Sequence, residues 1–121
     1  MPTAQQHLDQ YNHNKQFLGE DLLDCDNTPY LDWILTIAFY AAIHLFEKHL
    51  ADKNMHSGNH DQRLDNINKY TVLKQLKKPY SELKRASENA RYKCHEYSPD
   101  DVKKFLRHEL LQIKNTLNPT R

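Results

Sequence analysis

Apolar residues recur at steps of three and four along most of this chain, and nowhere do they alternate over a length that would make a strand. Leu8, Tyr11, Leu18 and Leu22 form a first stripe, interrupted by Lys15, behind Thr3 and Gln6, which have the spacing of a capping box. A second helix is predicted from about Pro29, with Thr28 as its cap, to about Lys53. Trp33, Ile34, Ile37, Phe39, Tyr40, Ile43 and Leu45 make its first three turns apolar nearly all round, which is the pattern of a helix surrounded by others. A third long helix, set off by Pro79, shows Tyr80, Leu83, Ser87, Ala90 and Cys94, with the small residues Ala86, Ser87 and Ala90 allowing a neighbour to come close. The fourth opens at Ser98-Pro99-Asp100-Asp101 and carries Val102, Phe105, Leu106, Leu110, Ile113 and Leu117 up to a stop at Pro119. Weaker signals at Leu64 and Ile67, and at Val72, Leu73 and Leu76, make short helices between the second and third, the first of them capped by Asn59. The predicted fold is all-α: an antiparallel four-helix bundle with a short helical insertion between the second and third long helices, one domain over residues 1–121. Trp33, Ile37, Tyr40, Ala41, Leu83, Ala90, Leu106, Leu110 and Ile113 are expected to meet in one core.

Composition narrows what such a fold can do. Only two glycines, Gly19 and Gly58, are present, too few for a phosphate-cradling loop or for the turns of a β-sandwich. The apolar run Trp33 to Phe46 is shorter than the ~20 residues that span a bilayer, Met1 to Gln16 has no apolar stretch resembling a secretory signal, and two cysteines make no disulfide scaffold. The expectation is therefore a cytoplasmic protein with no membrane partner. The net charge of +1 conceals a polarity: Met1 to Asp32 carries six acids and one lysine, a net of −5, whereas Gln62 to His95 carries nine basic residues and three acids, a net of +6. That basic segment is interleaved with Tyr70, Tyr80 and Tyr92, a composition that can hold phosphates and stack bases; solvated helix faces that pair with the acidic N-terminal helix or with a second subunit are the alternative.

The sharpest local pattern is Asn89-Ala90-Arg91-Tyr92-Lys93-Cys94-His95. Near the end of the third long helix, Arg91 and His95 are four apart and share a helical face, which sets a permanent cation beside an imidazole that exchanges protons near neutral pH. The pair suits RNA cleavage by internal attack of a 2′-hydroxyl, with His95 moving the proton, Arg91 steadying phosphate charge and no metal or cofactor required. In the alternative reading Arg91 pairs with Glu88 or another acid and His95 caps the helix end. His56 and His60 offer two more imidazoles, but no cysteine, acid or histidine stands at a zinc spacing from them, so no metal site is expected. His60 and Arg63 are read instead as polar groups at one end of the bundle, and His44 as a hydrogen-bonded core histidine.

With these residues in view the chain resembles the HEPN domains, small α-helical proteins of bacterial toxin–antitoxin and defence systems and of RNases. The resemblance covers most of the chain and is carried by Trp33 to His44, by His60-Asp61-Gln62-Arg63, and by Tyr80-Ser81-Glu82-Leu83 leading into Ala90-Arg91-Tyr92. It implies Arg91 and His95 as catalytic residues, with three residues between them where catalytic members have four to six. Asn89 becomes the polar neighbour, and Tyr92, Lys93, His60 and Arg63 are expected to bind substrate. It also implies two subunits lining one RNA cleft; a homodimer with both Arg91 side chains near its axis, and with Tyr92 and Tyr97 at the interface, is expected. The reading is a HEPN-like RNA-binding protein, in its stronger form a metal-independent endoribonuclease, with RNA, a second copy and an antitoxin or other protein as partners. The alternative is a non-catalytic dimeric module that binds a protein or a nucleotide.

Overall fold

The computed structural model describes residues 1–117, apart from the side chain of Leu22, and every regular element in them is helical. The long elements are α1 (Ala4–Leu18), α2 (Leu31–Ala51) and α5 (Lys77–Tyr92); α3 (His60–Asn68) and α4 (Thr71–Lys74) lie between the latter two. The chain ends on α6 (Pro99–Lys104), a π-helical stretch (Phe105–Leu110) and α7 (Leu111–Leu117) in succession. The stop expected at Pro119 lies outside the described residues.

Local chemistry explains most of the boundaries. Thr3 and Gln6 form the reciprocal capping box, Ser98 and Asp101 form a second one with Pro99 in the first turn, and the Asn59 side chain accepts the Gln62 amide at 2.8 Å. Two expectations shift. Thr28 accepts the Tyr30 amide at 3.0 Å and so holds the approach to α2, whose first residue is Leu31. Pro79 does not separate elements but sits in the first turn of α5, where its missing N–H leaves no hydrogen bond unmade. The π-helical stretch has no signature in the apolar periodicity; it inserts into the stripe that runs from Val102 to Leu117.

His7 of α1 meets His44 late in α2, and Tyr80, at the start of α5, packs on Phe39 and Phe46 of α2. The buried side chains fall into two groups rather than one. Phe39, Phe46, Leu50, Ile67, Leu73, Tyr80, Leu83 and Ile113 centre the larger, while Ile34, Leu35, Ala86, Leu23 and Val102 form the smaller, and Phe105 touches both. Ala41, Leu83 and Ile113 are buried as expected, and Ile37, Ala90, Leu106 and Leu110 are half-buried. Trp33 and Tyr40 overturn the expectation, being 53% and 43% exposed. They lie on a side of α2 that the described residues leave largely open, so the helix is not enclosed all round. By length and composition α2 is apolar enough to cross a membrane, yet 67% of that stretch is buried within this protein.

Candidate functional site

Steps of four, three and four residues put Tyr80, Lys84, Ser87 and Arg91 on one face of α5. The face runs along α2 and past the start of α3, from a buried polar seam to an open aromatic end. In the seam, Arg63 and Glu47 are both at least nine-tenths buried, and Arg63 Nε donates to Glu47 Oε1 at 2.7 Å. A second Arg63 nitrogen lies 2.9 Å from His60 Nδ1, and the Tyr80 hydroxyl is 3.4 Å from the same imidazole nitrogen. Because a guanidinium only donates, His60 Nδ1 is the acceptor and the ring proton is on Nε2. The ring stacks on Phe39 at 5.8 Å between centroids, with His60 still open to solvent. Burial, then the charges of Arg63 and Lys84, with Arg91 adding to them, lower the His60 pKa, while Glu88 opposes the shift.

A pair of imidazoles extends the seam to α1. His7 Nδ1 and His44 Nδ1 are 3.0 Å apart, so one donates and the other accepts. Burial, reinforced by His7 and Arg63 and opposed by Glu47, pushes the His44 pKa down to about 4; burial also lowers that of His7. His44 is thus the hydrogen-bonded core histidine that its apolar helix implied. Its partner His7, and the roles of Glu47 and Tyr80, were not legible in the sequence, because each meets its partner across helices. A weak signal existed in Glu47, an acid one turn beyond His44 on the most apolar helix of the chain.

At the open end Arg91 has its guanidinium carbon 4.9 Å from the Tyr92 ring centroid and 5.9 Å from that of Tyr40. Its Nε donates to the Ser87 carbonyl at 3.3 Å, and a terminal nitrogen donates to the Tyr40 hydroxyl at 3.4 Å. Among the described residues Arg91 makes no ion pair; Glu88, its expected alternative partner, binds Lys84 at 2.5 Å. Nor does an ion pair join the basic segment to the acidic N-terminal one among those residues: the acid Asp26 pairs with Lys103 instead. Tyr92 is 74% exposed and continues the open surface of Trp33 and Tyr40.

The expected partnership of Arg91 with His95 on one helical face does not form. α5 ends at Tyr92, the amides of Lys93 and His95 both bond the Asn89 carbonyl, and Cys94 takes a left-handed conformation with φ 53°. His95 therefore leaves along a loop, meets the Tyr97 ring at a tilt with 4.4 Å between centroids, and lines a shallow cleft with Asp32, Ala90 and Glu96 from which Arg91 is absent. Asn89 likewise faces Tyr97, donating to its hydroxyl at 3.4 Å, and Lys93 is exposed at the helix end. Tyr97 is half-buried and packs edge-on against Phe105 at the margin of the smaller core. The predicted site residues thus divide: His60, Arg63, Arg91 and Tyr92 gather on the side of α2 and α3, and Asn89 and His95 on the side of Tyr97.

Both cysteines are free, and no group of three or more metal-ligating side chains assembles among the described residues. A polar cleft of about 480 Å³ separates α5 from the terminal helical run, lined by Glu82, Arg85, Asn89, Lys104 and Glu109 among others. Burial and the facing Glu82 carboxylate raise the Glu109 pKa there. Comparisons with family models, with curated proteins and with solved structures find no match to this chain.

Proposed function

We propose that this chain is a HEPN-like RNA-binding protein that acts as a homodimer, with α1, α2, α5 and the terminal helical run as the four members of an antiparallel bundle and α3 and α4 as its insertion. The observation that carries the reading is Arg91 lodged against the rings of Tyr40 and Tyr92, unpaired by any acid among the described residues and half-buried beside the exposed Tyr92. A guanidinium held by π-faces beside exposed aromatics is suited to a strand whose phosphates need a cation and whose unstacked bases need a surface. A second copy would cover Trp33, Ile37 and Tyr40, an aromatic stripe of the kind that marks interaction surfaces, and would bring two Arg91 side chains toward one cleft. The setting is a cytoplasmic toxin–antitoxin or defence system, with an antitoxin as further partner. In its stronger form the protein cleaves RNA without metal, His95 exchanging the proton.

The separation of His95 from Arg91 favours the second reading, a non-catalytic dimeric module that binds protein or nucleotide. Incubating the protein with labelled RNA in EDTA separates the two. Cleavage leaving a 2′,3′-cyclic phosphate, and falling by roughly 10²–10⁴ in His95→Ala, supports the nuclease. Binding without cleavage, weakened in Arg91→Ala with its salt slope reduced by about 0.7, leaves RNA binding alone. No affinity for RNA at low salt gives the interaction module.

A further inference from the structure

Of the three imidazoles in the polar seam, His60 alone both has a fixed proton position and opens to solvent. Arg63 occupies its Nδ1, and Arg63 is itself held by buried Glu47. A buried ion pair of this kind adds little net stability compared with apolar side chains of similar volume, since both charges lose their water. What it does here is hold one ring, sandwiched against Phe39, with its remaining N–H turned away from Arg63. The charges acting on that ring are Lys84, Glu88 and Arg91 from α5 and Arg63 from α3, the last of them paired with Glu47. Lys84 and Arg91 are two turns apart on the same face of α5, and one acid, Glu88, stands against their two positive charges.

We infer that His60 Nε2–H, Lys84 and Arg91 form a binding site for a phosphate group of a phosphodiester strand, with Arg63 and Glu47 as positioning residues and Tyr40 and Tyr92 as the flanking stacking surface. The inference rests on the RNA reading for the identity of the strand and deepens it by placing the phosphate at His60 rather than at His95. A neutral imidazole that donates, beside two cations, takes an oxyanion without first having to be protonated. Protonation of Nδ1 would cost the ring its Arg63 bond, so the donor state persists across neutral pH.

The test follows the His60 ring by NMR in the full-length, isotope-labelled protein, titrated separately with inorganic phosphate and with a single-stranded RNA twelve-mer. Phosphate should shift the His60 Nε2 resonance, and His60→Ala, Lys84→Ala or Arg91→Ala should each weaken phosphate binding about tenfold, the loss expected for a charge-assisted hydrogen bond. Lys15→Ala, which removes one distant surface charge, should leave it unchanged. Arg63→Gln should raise the titration midpoint of His60 and release its proton from Nε2, a change that a purely structural role would not produce. If that variant does not fold, the Glu47→Gln, Arg63→Gln double variant, which leaves no unpaired buried charge, provides the same readout. Phosphate shifting His60 without any RNA affinity would uphold the site and sink the RNA reading. RNA binding that leaves the His60 ring unmoved would overturn the site while sparing that reading; no response to either ligand would overturn both.

Discussion

His60 and His95 are both exposed histidines in polar segments beside basic residues, yet they sit in opposite physical situations. His60 begins a helix capped by Asn59, stacks on a core aromatic and takes a hydrogen bond from an arginine that is itself anchored to a buried acid. His95 lies past the end of α5 on a loop entered through a left-handed residue and touches one ring, that of Tyr97. Spacing to an arginine made His95 the sharper candidate, whereas orientation and electrostatic coupling favour His60. A proton-transfer or anion-binding group works when its geometry is held by packed elements, and a loop of this kind does not supply that.

The largest expected effect that would break the contrast lies in the anchor. Glu47→Ala leaves Arg63 buried without its carboxylate and should cost about 3–5 kcal/mol in denaturant unfolding. An effect below about 1 kcal/mol would mean that the seam does not hold His60. Acid should act next. The His7 and His44 pKa values are depressed in the folded chain, so between the ordinary value of 6.5 and about 4 the unfolded state binds more protons and stability falls as pH falls. Because both rings are partly screened by solvent, the loss should be about 1–2 kcal/mol across that window. It should shrink in His7→Gln, as urea titrations at pH 7 and 4.5 would reveal.

Asn59→Ala removes the cap of the helix that carries His60 and Arg63 and should cost about 1 kcal/mol, with a broadened His60 resonance. At the bottom of the scale, His95→Ala should change stability by no more than about 0.5 kcal/mol, as for other exposed positions without special contacts. The open stripe supplies a separate check. Trp33→Glu should leave the monomer folded, since the side chain is 53% exposed, but should abolish dimers detected by light scattering.

Helix identity and capping were readable because they depend on residues three or four apart: the Thr3–Gln6 box, the Ser98 cap and the Asn59 cap all form as their spacing implies. Long-range partners were not. Nothing within a turn of His7 names His44, and the same holds for Glu47 with Arg63, sixteen residues apart, and for Arg91 with Tyr40, fifty-one apart. The end of α5 was misread because Cys94 continues the apolar period, while a left-handed φ at a non-glycine residue has no compositional signal.

By itself the sequence determined that the chain is helical, where most helices begin, that positive charge concentrates between Gln62 and His95, and that no glycine-rich phosphate loop can form. Those properties follow from local steric preferences and from composition, which do not depend on the neighbours. Only the tertiary structure decided that α2 keeps an open aromatic side, that the arginine of the basic helix lies among tyrosines rather than beside His95, and that a buried arginine fixes the proton of His60. Each of these depends on which helix covers which face, and a periodic stripe says that a face is apolar without saying what will lie against it.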